Sequence, residues 1–596
     1  MSSARQTSED TTVTVTTSNG NSRSRERSDV RELRDDPSAD VLIIGGGING
    51  IATFRDLALQ GVSVALVDRG DYLSGASSAS SHMIHGGIRY LENGEFRLVS
   101  ESVHERNRLI RNAPHYVRPL RTTIPIYSTF SGILAAPLRL LTHRQGSTRE
   151  RGALLIKVGL VIYDSFSRAG GSVPRHRFHG RKRSLSELPD LDPAVKYTAT
   201  YFDASVHEPE RLGLDVLEDG RAAGAPGAAG GTARSANYVE AVGVTDGGVL
   251  LRDRETDKEF VFKARVVVNA SGPWTDLTNA AFGSPTTLMG GTKGSHIVLD
   301  NDELLNACAG RELFFENSDG RIVLIQPIKG RVMVGTTDLE ADPAEPALCT
   351  EEEIDYFFGL VSHVFPHVTV DRDQIVYRFA GIRPLPKHDD TKPGFVSRDY
   401  NIVPGTLSAD SDTVVLSLVG GKWTTFRALG ENLANEAMKR IGVSRSVSTR
   451  ELAIGGGAGY PTTVETRVDW IRNHRGTLTA DRVGALLRRY GTRAVGVIDA
   501  ITEGPDAPLK SDASYSSAEI RYIAQYESVV HLQDVILRRT NHAFTGSVST
   551  ELLEELAHIV GGALGWSTAR VGREVSGAAR ELAAGHGIRL HEPARG

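Results

Sequence analysis

Residues 40–68, DVLIIGGGINGIATFRDLALQGVSVALVD, constrain this chain more than any other stretch. Residues 40–44 are an apolar, β-branched run of buried-strand length that leads straight into Gly45-Gly46-Gly47-Ile48-Asn49-Gly50. Apolar residues then recur with helical spacing at Ile51, Phe54, Leu57 and Ala58, up to Gly61. Residues 63–67 read as a second strand, ended by Asp68. Strand, tight turn, helix, strand and an acid about 20 residues on is the dinucleotide-binding unit. Gly45 makes the turn, Gly47 lets backbone approach a pyrophosphate, and Gly50 lets helix pack on strand, with Asn49 in the same turn. The helix N-terminus offers free N–H groups to phosphate charge. Asp68 can take a ribose hydroxyl. The unit alone does not choose between NAD and FAD.

A chain of 596 residues exceeds one hydrophobic core, so two or three domains are expected. Its net charge of −5 argues against nucleic-acid binding. Cys308 and Cys349 are its only cysteines and lack CxxC spacing. They point to a reducing cytoplasm and to no metal site. No run reaches the roughly 18 apolar residues of a spanning helix, and the N-terminus has no apolar signal core. Residues 1–37 are almost free of apolar side chains. They read as a disordered tail, because such a segment buries too little surface to offset its ordering entropy.

Further along, small residues gather at turns. In RGDYLSGASSASSHMIHGGIRYL, residues 69–91, the hydroxyls of Ser77, Ser78, Ser80 and Ser81 can hydrogen-bond a pyrophosphate or a flavin edge. A buried strand at 264–270 ends in Ser271-Gly272-Pro273-Trp274. Strand patterns at 291–300, 321–338 and 374–385 point to an antiparallel sheet, and helical patterns predominate after about residue 450.

GGGINGIATFRDLALQG followed by SSASSHMIHGGIRYL resembles the FAD-dependent glycerol-3-phosphate dehydrogenases, which typically read SSxSSKLIHGGLRYL here. NASGPW, FAGIRPL, SRDY, GGKWTTFR and the C-terminal IRYIAQYESVVHLQDVILRRT are similar to further text of that family, so the resemblance runs from about 38 to 590. It implies an α/β chain: a Rossmann-like FAD-binding domain interleaved with an antiparallel-sheet substrate domain over 38–450, then a helical domain over 451–596. It implies resident FAD, with Gly45, Gly47, Asn49, Gly50 and Asp68 at the adenosine end. Ser77, Ser78, Ser81, His82, Gly86, Ala270, Gly272, Gly421, Lys422, Thr424 and Thr425 would line the rest. The family carries Lys where this chain has His82; histidine is largely neutral at pH 7, which leaves a cation role there open. Around the substrate, glycerol 3-phosphate, the resemblance places Arg89, Tyr90, Arg383, Arg398 and Lys422.

The reaction it implies oxidises sn-glycerol 3-phosphate to dihydroxyacetone phosphate, with hydride leaving C2 for flavin N5 as the hydroxyl proton departs. Arginine suits phosphate through its planar fork, and lysine adds a point charge. His85 is the first candidate base and His296 the second, since histidine ionises near neutrality. Arg383 is the expected stabiliser of charge on the substrate oxygen, and the helix opened by Lys422, Thr424 and Thr425 that of charge on the flavin. Residues 116–168 alternate apolar runs with arginines and hold Glu150 as their one acid before 164. Such a stretch reads as an interfacial element on an anionic membrane surface. With the resemblance, it implies a cytoplasmic protein peripherally bound to the cytoplasmic membrane that passes electrons to quinone. An oxidase using oxygen and a non-catalytic FAD-binding module are the alternatives. A homodimer is compatible with either.

Overall fold

The computed structural model of the protein describes residues 27–87, 95–129, 153–167, 173–225, 230–245, 247–317, 321–387, 399–408 and 411–590. Its first sheet sets the dinucleotide unit at the centre. In order across it lie strands Asn401–Thr406, Val414–Val419, Glu259–Asn269, Ser38–Ile44, Val64–Val67 and Ala233–Ala236. Val41–Ile44 pair in parallel with Val64–Val67 on one side and with Val266–Asn269 on the other. Only the edge strand Asn401–Thr406 runs antiparallel on this path. Parallel strands are buried on both faces, which is why VLII, VALV and VVVN are unbroken apolar runs. Ile51, Phe54 and Leu57 of the Ile48–Leu59 helix bury against one face. The hairpin Val239–Thr245/Gly248–Asp253 and the helix Ser28–Asp35 cover the other.

That last helix corrects the reading of residues 1–37 as a disordered tail. Val30 and Leu33, three residues apart, share one helical face and are buried at 1% and 0% exposure with Leu42, Ala65 and Phe262. Two apolar side chains suffice because the sheet face already exists. Arg27 Nη1 anchors the start of the helix on the Asn237 carbonyl at 2.8 Å. Residues 1–26 lie outside the described residues.

The second sheet is built on the long strands Met289–Leu299, Ile375–Pro386, Val117–Ile126 and Tyr197–Val206, with Glu312–Glu316, Ile322–Ile328 and Arg331–Gly335 between them. The helix Glu351–Val364 packs Ile354, Phe357 and Leu360 on one face, and a capping box of Thr350 and Glu353 starts it. Ala79 and Met83 lie against the other face, beside Val298, Leu324 and Met333. The strand Val117–Ile126 revises the interfacial reading of 116–168. Leu120, Thr122 and Thr123 are buried in the sheet and only Arg118, Pro119 and Arg121 face out. Residues 130–152 and 168 of that stretch lie outside the described residues.

Helices from Val464–His474 to Thr568–His586 form the C-terminal part, around two apolar clusters: Val483, Leu486 and Val497 in the first, and Ile520, Ile523, Leu552, Leu556 and Val560 in the second. A π-helical turn, Val535–Arg539, carries Arg538 and Arg539 back to Asp71 in the first domain. His531 ties the same region to the Val239–Asp253 hairpin. Its ring lies 3.0 Å from Glu255 and 3.1 Å from Glu574. Burial alone would push this imidazole down, but the bonds to the two carboxylates outweigh it and hold it at about 10. Because the folded value lies above the ordinary one, the contribution is complete below about pH 6.5 and is lost as pH rises through 10. Melting temperature followed from pH 6 to 10 should fall more steeply in the wild type than in His531→Gln. Parallel curves would show that the pair contributes nothing.

Candidate active site

The turn after the first strand is shaped by contacts that exclude a side chain. Gly45 has φ +109°, and a Cβ there would sit 2.5 Å from the Ala270 carbonyl oxygen. A Cβ on Gly50 would lie 2.0 Å from the Gly45 carbonyl oxygen. Asp68 closes the turn from the far side: its carboxylate accepts the Gly46 N–H at 2.7 Å and the Gly70 N–H at 2.7 Å. Burial pushes this carboxyl up to about 6 against the pull of those two amides. Ser77 Oγ accepts the Ile48 N–H at 3.0 Å and so fixes the serine-rich loop over the helix start.

These groups line a cavity of about 570 Å³ with Gly47, Asn49, Ser271, Gly272 and Trp274. Residues 239–242, Arg252 and Arg254 complete the lining of this cavity. Nothing in their sequence marks these residues as ligand-facing; only the return of the hairpin over the cavity does. Arg69 stacks on Trp274, 4.7 Å from the ring centroid. Asn49 Oδ1 is buried without a partner in the protein. A glycine-walled cavity at a helix start, with an unmatched buried amide oxygen, fits FAD.

The sequence-predicted residues separate in the structure. Gly45, Gly47, Asn49, Gly50, Asp68, Ser77, Ala270 and Gly272 meet in the cradle. A second cluster brings Ser81 and His296 together beside Arg383, while His85, next to Gly86, meets the turn 421–425, which carries Lys422, Thr424 and Thr425. His85 N–H donates to Thr424 Oγ1 at 3.1 Å, Gly421 packs on the Asn49 amide, and Lys422 Nζ donates to Ser102 Oγ at 2.6 Å. Arg89, Tyr90 and Arg398 lie outside the described residues. Ser78 bonds its own loop, donating to the Gly75 carbonyl at 3.0 Å.

His82 departs from the cofactor-binding expectation. Its ring turns away from the cavity, with Nδ1 3.0 Å from the Val206 carbonyl and the ring against Phe544, 5.2 Å between centroids. Burial, with help from nearby Lys329, pushes it down to about 3, so it is neutral. It is a packing residue between the second sheet and the C-terminal helices.

Arg383 stands on the Ile375–Pro386 strand opposite Thr292. Its guanidinium donates to Asp338 at 2.8 Å, to Thr336 Oγ1 at 2.9 Å and to the Thr337 carbonyl at 2.9 Å, and it lies across Gly294. His296 Nε2 is 2.8 Å from Ser81 Oγ, and its ring stacks on Phe379 with 4.8 Å between centroids. Burial, then the charge of Arg383, pushes His296 down to about 3. Held neutral, this ring acts here as a hydrogen-bonding partner of Ser81.

The cradle and the mixed, mainly antiparallel second sheet beside it define an FAD-dependent oxidoreductase. The family model described as FAD dependent oxidoreductase matches residues 40–435, and that described as the C-terminal domain of alpha-glycerophosphate oxidase matches 411–571. The glycerol-3-phosphate dehydrogenase of Synechocystis sp. is 31% identical over 560 residues, covering 90% of this chain and 95% of that protein. The D-erythritol 1-phosphate dehydrogenase of Brucella abortus is 30% identical over 516 residues, covering 85% and 94%. The crystal structure of glycerol-3-phosphate dehydrogenase from Bacillus halodurans with FAD shares the fold, with a TM-score of 0.70, 23% identity and coverage of 95% and 99%. The chain belongs to the FAD-dependent glycerol-3-phosphate dehydrogenase family, and its cofactor is FAD.

Proposed function

We propose that this protein oxidises sn-glycerol 3-phosphate at C2 to dihydroxyacetone phosphate and passes the electrons to a membrane quinone. The observation that carries the substrate reading is Arg383, a guanidinium fixed on three sides beside a neutral histidine at the flavin end of the cradle. FAD, when bound, supplies the hydride acceptor. Arg383 holds the C2 oxygen and stabilises charge that develops there. His85 accepts the hydroxyl proton on its ring nitrogen. Lys422, with Arg89, Tyr90 and Arg398, holds the phosphate. His296 orients the substrate as a neutral partner.

The acceptor reading rests on the helix Ala153–Ser167. Its outward face presents Leu154, Val158, Val161 and Ile162 at 50%, 50%, 55% and 37% exposure. An apolar stripe of this kind marks a contact surface, and among the described residues no helix is long and apolar enough to cross a membrane. We assign it to one leaflet of an anionic membrane.

Anaerobic addition of glycerol 3-phosphate should bleach the bound flavin, and a quinone analogue should restore its colour. Flavin that stays yellow would leave a binding module. Stoichiometric peroxide in air, with no turnover of quinone analogues, would make the protein an oxidase. Faster bleaching by a four-carbon polyol phosphate, the substrate class named for the Brucella relative, would move the substrate assignment.

A further inference from the structure

The backbone N–H of Gly86 is gripped by a buried cluster that the roles assigned above leave unused. It donates to Asp203 Oδ1 at 3.0 Å and lies 3.1 Å from the Tyr163 hydroxyl oxygen. Arg106 Nη1 donates to that hydroxyl oxygen at 2.8 Å, to Asp203 Oδ1 at 2.9 Å and to the Phe202 carbonyl at 3.1 Å. The Tyr163 hydroxyl in turn donates to Asp203. Arg106, Tyr163 and Asp203 come from three elements: the helices Phe96–Asn112 and Ala153–Ser167 and the strand Tyr197–Val206. All three side chains are fully buried.

An amide needs one acceptor. Here two oxygens meet it and a buried cation backs both, at a desolvation cost that only close geometry offsets. There is no slack: a Cβ at position 86 would fall 2.2 Å from the Tyr163 hydroxyl and 2.6 Å from Val103 Cγ2. On the other side, the adjacent His85 N–H is held by Thr424, at the start of the helix that returns to the first domain. Two successive amides are thus tied to two different parts of the protein, and the side chain between them is that of His85. Burial pushes the Tyr163 hydroxyl well above its ordinary value, so it stays a donor to Asp203.

We infer that Arg106, Tyr163 and Asp203 are positioning residues for the proposed reaction, setting where the His85 imidazole stands relative to substrate. This rests on the reading of His85 as proton acceptor. A displacement of about 1 Å costs on the order of 100-fold in rate. Tyr163→Phe in the FAD-loaded protein should therefore lower the anaerobic flavin-reduction rate about 10- to 100-fold, with FAD content and substrate affinity unchanged. Hydrogen exchange of the peptide that contains Gly86 should speed up, and Asp203→Asn should do the same if Tyr163→Phe does not fold. In the double variant His85→Asn/Tyr163→Phe, the second change should add nothing to the first. Wild-type rate and exchange in Tyr163→Phe, or fully multiplicative effects in the double variant, would overturn the positioning role. His85→Asn reducing at the wild-type rate would instead overturn the reading of His85, while faster exchange in Tyr163→Phe would still record the grip on Gly86.

Discussion

Arg383→Ala should slow anaerobic flavin reduction by glycerol 3-phosphate by about 100- to 1000-fold, the loss seen when one preorganised donor to a developing oxyanion is removed. The size follows from how the guanidinium is held. Asp338, Thr336 and the Thr337 carbonyl fix its plane before any substrate arrives, so no reorganisation is needed during the reaction. Arg383→Lys should recover little, because a single ammonium cannot occupy three directions of a planar fork. The change also removes a charge that helps hold His296 down, so that imidazole should titrate higher in the variant. Stopped-flow reduction checks the first effect and the pH dependence of the residual rate the second. An unchanged rate would show that the second cluster is not the place of reaction.

Asp71→Ala should cause a large loss of stability. Asp71 accepts from Arg538 Nε at 2.5 Å, Arg539 Nη2 at 2.8 Å and Asn237 Nδ2 at 2.9 Å, all buried. Burial opposes its ionisation, yet Arg539 and Arg538 hold its carboxyl well below the usual range. Removing it leaves two buried guanidinium groups with Asp534 and the Glu527 carbonyl to offset them among the described residues, at a cost of about 3–5 kcal/mol. The same loop supplies Arg69, Gly70 and Leu73 to the FAD cavity. FAD affinity should therefore drop together with melting temperature. Thermal unfolding with and without added FAD measures both, and a wild-type melting curve would contradict the assignment of this network as the joint between the parts.

The cradle was legible because its chemistry is local. Gly45, Gly50 and Asp68 act within one strand–turn–helix–strand unit, and the run that meets them, ARVVVNASG, carries its own strand pattern. What could not be read depends on partners far along the chain. His82 sits in a motif full of ligand-facing residues, but Phe544 and the Val206 carbonyl turn its ring aside. Val30 and Leu33 form half a turn of apolar face in a polar tail, and only the sheet they cover makes a helix of it. Asp71 and Arg539 lie 468 residues apart, with no local signal joining them. The neutrality of His296 comes from burial and from Arg383 across the strand pair, neither visible in GSHIV.

The order of strands in the first sheet has a consequence for how the chain is made. Strand 38–44 leaves the ribosome with its Val64–Val67 neighbour close behind. Its other edge waits for residues 259–269, and that strand in turn waits for Val414–Val419. Until then these apolar strands present bare hydrogen-bonding edges, the usual route to mispairing and aggregation. Pairing over such separations is slow, because the loop must close before any contact stabilises it. A chain stopped before residue 411 would keep the whole glycine turn and still expose Val266–Asn269 along one side. The cradle announced by the glycine turn is thus sealed only once residues 414–419 have been made.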